Sequence, residues 1–379
     1  MSSSATSSAH TVQSAHSLRR LSILDGWRGM AIILVLLGHF ISLPFFNAGR
    51  LGVELFFVLS GRLMGELLFV RREKLSRFYW RRFSRIAPAL YSYIAILASL
   101  SLFAGLHFGV TEKTLFAAST FTYNYLFQLP GYGDANFDHL WSLCIEEHSY
   151  IVLSLVALLL AYFHNNHTKA PYSRMPWIVC IVLALLCMVH GIWLTLTTGG
   201  GYYDVYWRTD TRAGAILLGC AFHCLMQERP QYFTWMNART LILLLVMALS
   251  LSLYPVSDCI KYTLGTTLLA LCMANIEKLP DFAQKFLASR PMVYAGMASF
   301  SLYLYQQPFF HSDVSAHFPL PMLAAAVIAG LLSYHLIEKP ARKTLNDLFS
   351  RRTGKQAQPN TPDESSSPNK LGNLREAKS

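Results

Sequence analysis

From Trp27 onward the chain is a succession of apolar stretches, each about 17 to 24 residues long. Each suffices, as a helix, to cross a hydrocarbon core of ~30 Å. Ten stand out, at approximately 28–47, 51–70, 86–108, 140–163, 176–197, 211–227, 240–256, 260–276, 292–312 and 318–337. The stretch 114–127 is shorter, contains Thr122, Tyr123 and Asn124, and is either an eleventh crossing or a re-entrant piece. The expected fold is therefore all-α, a polytopic membrane bundle of about ten transmembrane helices without a soluble C-terminal catalytic domain. Composition agrees: 53% of the residues are hydrophobic and 14% charged, against roughly a quarter charged in soluble proteins.

The formal charge is +11, and most of it is confined to two segments. Residues 71–85 carry seven Lys and Arg against Glu73, and residues 351–379 carry six against three acidic residues. Basic segments beside apolar runs mark cytoplasmic loops rather than a nucleic-acid-binding face. With ten spans and a cytoplasmic start, the inside loops hold fourteen Lys and Arg and the outside segments five (Arg50, Lys113, Arg208, Arg212, Lys261). Counting 114–127 as a crossing would turn the basic C-terminal segment outward, so ten spans with both termini cytoplasmic is the preferred topology, in the inner (cytoplasmic) membrane. The Ser- and Ala-rich residues 1–20 are expected to be a disordered leader, 21–345 the membrane domain, and 346–379 a disordered basic tail. The seven cysteines fall mostly in apolar runs without CxxC spacing, so they read as buried small hydrophobes and no metal is expected.

A charged side chain inside a span costs at least ~2.5 kcal/mol on insertion scales, so each needs a partner or a purpose. Arg28 and His39 are eleven residues apart, which returns both to one helix face about 16 Å apart along the axis; on the expected span His39 lies near the midplane. Arg62 and Glu66 have the spacing of a local ion pair, whereas Glu54 has no such neighbour. The segment 78–85, with Arg81, Arg82 and Arg85 among aromatic residues, suits either phosphate oxygens and an adenine ring or anionic lipid headgroups. At the expected outer start of the fourth span, Glu146 stands one helical turn from Ser142, near Trp141. Such a carboxylate can orient an imidazole or accept a hydroxyl proton.

Seven short motifs occur in order: Leu24 to Gly29 followed by Gly38-His39-Phe40; Gly52 to Gly61; Arg82-Phe83-Ser84-Arg85; Trp141-Ser142-Leu143 with Glu146-Glu147; Thr209 to Ala213; Ser301 to Leu304; and Glu338 to Arg342. Together they resemble the acyltransferase 3 family of integral membrane O-acyltransferases over roughly residues 21–343. The sequence departs from that pattern at Arg62, where an apolar aromatic is usual, at Gly214, where an acidic residue is frequent, and at Gln306, where a His commonly precedes the later Pro.

The resemblance implies an acyl-CoA donor, most often acetyl-CoA, and acceptor hydroxyls on a cell-surface or exported saccharide such as an exopolysaccharide or lipopolysaccharide, or on a lipid-linked glycan. Arg28, Arg82 and Arg85 are then the donor-binding residues, and His39 is general base or acyl-carrying nucleophile. Glu146 orients His39 or meets the acceptor, and Trp141, Ser142, Glu54 and Arg212 line the acceptor side. Membrane lipids, and a separate extracytoplasmic transferase, are further partners under this expectation, and nucleic acid is not. The competing class is a transporter or flippase of a glycan or lipid-linked precursor, which ten spans with buried charges also suit.

Overall fold

Pro44 decides where the first helix stops, because it has no N–H to continue the ladder and disfavours helical geometry at the residue before it. In the computed structural model, which describes residues 3–41, 43–103, 108, 110–167, 175–199 and 205–352, α1 runs over Ser3–Phe40. The first candidate crossing is Arg19–Phe40, several residues earlier than 28–47, and α1 reaches back into the stretch expected to be disordered. Asn47 then caps α2 (Ala48–Met64) by accepting the Arg50 N–H at 3.0 Å, and helical geometry continues as a π-helical turn over Gly65–Val70.

The basic segment is not a loop. After a short break α3 (Leu75–Phe103) begins, so Arg77, Arg81, Arg82 and Arg85 project from helix, and Pro88 sits within it. Two short helices follow, α4 (Glu112–Ser119) and α5 (Tyr123–Leu126). Neither is long enough to cross a bilayer. Long helices resume with α6 (Leu140–His167), α7 (Met175–Thr198) and α8 (Thr209–Glu228). The C-terminal half is more broken: α9 (Ala238–Leu251), α10 (Asp258–Ile260), α11 (Thr266–Ala274), α12 (Asp281–Leu287), α13 (Arg290–Met297), α14 (Ser299–Tyr305), α15 (Gln307–Phe310), α16 (Pro319–Ser333) and α17 (Lys339–Arg352). Helix α17 extends into the range expected to be a disordered tail; residues 353–379 lie outside the described residues.

The described residues contain no strand, only an isolated bridge between Phe46 and Leu253. Among the described residues five helices are long and apolar enough to cross a membrane: Arg19–Phe40, Leu75–Phe103, Leu140–Phe163, Pro176–Thr198 and Pro319–Arg352. Helix α7 leaves Leu185, Leu186, Val189 and Trp193 exposed, as a lipid-facing surface requires. Inside the bundle, glycine lets backbones approach closely, which favours the van der Waals packing that holds helices together where lipid removes the hydrophobic force. A Cβ at Gly61 of α2 would lie 1.9 Å from the Ile216 carbonyl of α8, and one at Gly219 would lie 2.3 Å from the Val58 carbonyl. Helices α1 and α2 meet in the same way at Gly38, whose Cβ would stand 2.0 Å from the Gly49 nitrogen.

Three contacts set the depth of α6 against α3. Tyr79 donates to Ser154 at 3.0 Å, Arg82 donates to Glu147 at 2.6 Å, and Tyr93 donates to the Asn136 carbonyl at 2.6 Å. The helices are antiparallel, and α6 starts near the level of Tyr93, about 15 Å short of the far end of α3 at 1.5 Å per residue. Asp138 and His139, which immediately precede the expected outer start of the fourth span at 140, are thus carried into the bundle by the segment that precedes α6.

Candidate active site

Helix α1 delivers His39 in its last turn, and the break between α14 and α15 delivers its partner. Pro308 lies in the first turn of α15, where its missing N–H is tolerated, and Gln306 occupies the junction. His39 Nδ1 and Gln306 Oε1 are 3.0 Å apart. The imidazole also stacks on Phe310, with centroids 4.7 Å apart and planes at 23°. Hydrogen bond and stacking together fix both the position and the plane of the ring.

Around this pair is a buried polar layer. His139 is 3% exposed, and neither of its ring nitrogens has a hydrogen-bond partner among the described residues. It lies edge-on to Tyr93 and Tyr303, within electrostatic range of His39 and His311. Gln307 donates to the Ala135 carbonyl at 2.9 Å and contacts His311 at 3.0 Å. The Gln306 amide nitrogen and the Gln307 side-chain oxygen are buried without a partner. Leaving such a group unsatisfied costs about 1–3 kcal/mol, so the layer is polar beyond what its own packing uses.

Glu146 stands elsewhere. Its carboxylate accepts from Ser60 at 2.7 Å, Arg82 at 3.0 Å and Tyr150 at 3.2 Å, rather than meeting His39. Arg82 is saturated from inside the bundle, because it also bonds Glu147 and lies 3.5 Å over the Tyr150 ring. Arg62 does not pair with Glu66: it donates to the Met273 carbonyl at 2.5 Å and to Glu277 at 2.9 Å. The π-helical turn that starts at Gly65 shifts the register on which an i,i+4 pair depends, and Glu66 pairs with Arg71 and His223.

Arg28 donates to Asp25 at 2.7 Å. Glu338, buried at the end of the π-helical turn between α16 and α17, accepts from Ser301 at 2.6 Å and lies in the field of Arg85 and Arg342. Tyr334 interacts electrostatically with Asp25, Glu338 and Arg342. Arg28 and Arg85 thus belong to one region with Arg342, where α1, α3 and the α16–α17 junction meet. Arg82 points away, into α6.

The residues expected on the acceptor side divide. Glu54 and Arg212 form an ion pair across α2 and α8, and Thr266 donates to the other Glu54 oxygen. Arg212 also lies 3.8 Å over the Tyr262 ring, beside a cleft lined by Tyr206, Thr211, Asp258 and Tyr262. Trp141 stacks on Trp207 and meets Tyr206 and Phe57, which joins it to this group. Ser142 shares a hydrogen bond of 2.7 Å with Tyr303, nearer the histidine layer. Sequence reasoning gave no role to Ser60 and Tyr303, which lie within the family motifs, to the uncharged Tyr150 and Gln307, or to His139, whose burial no local pattern reports. Among the described residues no group of three His, Cys, Asp or Glu side chains is arranged to hold a metal ion.

A membrane bundle with this buried histidine belongs to a recognisable class. The sequence pattern described as an acyltransferase domain matches residues 21–336, and the chain belongs to the acyltransferase 3 family. It is similar to the peptidoglycan O-acetyltransferase OatA of Listeria monocytogenes, at 26% identity over 86% of this chain and 57% of the relative. It is also similar to the O-acetyltransferase OatA of Staphylococcus aureus strain NCTC 8325, at 26% identity over 88% of this chain and 59% of the relative. The chain thus spans less than two thirds of the length of these curated relatives. No solved structure matches it.

Proposed function

We propose that this protein is a membrane O-acetyltransferase that moves an acetyl group from acetyl-CoA to a hydroxyl of a cell-surface or exported saccharide. The observation that carries this is the arrangement along α1. Arg28 stands in the basic region, and eleven residues later His39 is held by Gln306 in a layer where, among the described residues, both His139 ring nitrogens and the Gln307 side-chain oxygen lack partners. Similarity to proteins named O-acetyltransferases supports the acetyl group. The peptidoglycan in the name of the Listeria relative supports a saccharide acceptor.

In this reading the donor phosphates meet Arg28 and Arg85, with Arg342 beside them, as guanidinium groups suit phosphate oxygens. Arg82, engaged by Glu146 and Glu147, adds positive field and locks α3 to α6. The pantetheine arm lies along α1, and His39 removes the acceptor proton as general base or carries the acyl group as nucleophile. Arg212 and Glu54, with Trp141 and the tyrosine-lined cleft, form the acceptor side; Ser142 lies between that side and His39. The bundle crosses the cytoplasmic membrane ten times, with both termini and the basic end in the cytoplasm, where the donor is made.

Purified protein in lipid nanodiscs, given acetyl-CoA and oligosaccharides of peptidoglycan or lipopolysaccharide origin, should release CoA over many turnovers only when an acceptor is present, and His39→Ala should not. Acceptor-dependent release undiminished in His39→Ala removes His39 from the chemistry. Transport of an intact glycan without CoA release replaces the enzymatic reading.

A further inference from the structure

Gln306 occupies a position that no charge pattern singles out, yet it is wholly buried against the one imidazole on which the proposed reaction depends. With the Gln306 carbonyl facing the ring at 3.0 Å, an oxygen that can only accept, Nδ1 is the nitrogen that carries the hydrogen in this arrangement. The stacking on Phe310 holds the plane of the ring. Nε2 then keeps its lone pair.

We infer that Gln306 is a positioning residue that fixes His39 in the Nδ1–H tautomer and so makes Nε2 the reacting atom; the inference rests on the acetyltransferase reading and deepens it. A second observation is independent of the tautomer. Among the described residues the Gln306 amide nitrogen and both nitrogens of His139 are buried without partners, so the layer around His39 holds donor and acceptor capacity that these residues leave unused. A thioester carbonyl and an attacking hydroxyl are groups of the kind that would use it.

The step balances as follows. The acceptor O–H gives its proton to His39 Nε2 while its oxygen forms a bond to the thioester carbon. The carbon–sulfur bond then breaks with its electron pair on sulfur, and the imidazolium returns the proton to give free CoA thiol and the ester. Throughout, Nδ1–H stays on Gln306, as the second ring nitrogen of a catalytic histidine commonly stays on its orienting group.

Three variants test this in membrane vesicles of the producing strain, which carry their own acceptor, supplied with labelled acetyl-CoA. Gln306→Met keeps the volume and removes the hydrogen bond. The maximal rate should fall on the order of 10²-fold or more, with the KM for acetyl-CoA within about threefold of wild type. Gln306→Glu keeps an acceptor for Nδ1–H and should exceed Gln306→Met by about tenfold or more. Gln306→Asn retains the amide but withdraws it by one methylene, and carries the same expected loss if the Met variant does not accumulate. The inference is overturned if Gln306→Met and Gln306→Asn keep most of the wild-type rate, or if Gln306→Glu, folded and inserted, is no faster than Gln306→Met. Undiminished transfer by His39→Ala in the same vesicles would instead overturn the functional reading beneath it.

Discussion

Arg212 of α8 donates to Glu54 of α2 with only 3% and 6% of the two side chains exposed. The second Glu54 oxygen is taken by Thr266, so the carboxylate is satisfied by charge and by hydroxyl. Removing one partner of a buried pair leaves the other charge stranded, at a cost of about 3–5 kcal/mol. Glu54→Gln should therefore lower the thermal unfolding temperature in detergent markedly. The double variant Glu54→Gln/Arg212→Met should lose less than the sum of the singles. Strict additivity would mean that the two side chains are not coupled.

Arg82 and Arg85 are one helical turn apart on α3 and should behave oppositely. Arg82→Ala strands Glu146 and Glu147, so it should destabilise by about 3 kcal/mol or more. Arg85→Gln should mainly weaken acetyl-CoA binding, by about tenfold, the loss expected for a charge-assisted contact. Calorimetric titration with CoA beside thermal unfolding separates the two effects. If donor affinity falls only in the Arg82 variant, the proposed phosphate contact is misplaced.

Close packing at Gly61 gives a test of the α2–α8 contact alone. An added methyl would stand 1.9 Å from the Ile216 carbonyl, and backbone cannot yield as a side chain would. Gly61→Ala should cost about 3 kcal/mol or more. At Gly191 the methyl would meet Thr211 at an ordinary 3.5 Å, so Gly191→Ala should be nearly neutral. Equal unfolding temperatures for the two variants would count against the backbone contact.

Asp138 lies in the segment before α6, and burial pushes its carboxyl from 3.8 up to about 6 although Tyr123 donates to it. The folded protein thus binds this proton more tightly than the unfolded chain. Stability from this group is fully present below 3.8 and is lost as pH rises through about 6. Asp138→Asn should raise the unfolding temperature at neutral pH, and the gain should vanish as pH falls toward 4, near the unfolded carboxylate value. A gain that does not change with pH would assign the effect to something other than this proton.

Much of the scaffold is readable from hydropathy, because a residue that must face lipid or a packed neighbour has to be apolar. The helices around Glu54, Glu146 and Arg212 lie where apolar runs place them, the crossing around Arg28 is shifted several residues toward the N-terminus, and the family motifs pointed to His39. What hydropathy cannot carry is the pairing of distant segments. Glu146 and Arg82 are 64 residues apart in sequence, and no periodicity within either helix reveals that they share a hydrogen bond. Local geometry misled at Arg62, where the π-helical turn intervenes, and gave no sign of the burial of His139, which immediately precedes the expected start of the fourth span. Gln306 was legible only as a departure from a family pattern; its contact with His39 required the helix break before Pro308.

Helix α1 is unbroken from Arg28 to Phe40, and it is clasped backbone to backbone by α2 at Gly38. The interval between guanidinium and imidazole is therefore a rigid gauge. For the proposed donor, such a gauge screens by the reach of the carrier arm and is indifferent to the cargo at its tip. Choice among acetyl, succinyl and bulkier groups then falls to the far wall beyond His39, where Phe310 and His311 stand, and exchanging those side chains is the direct way to retune which group is delivered.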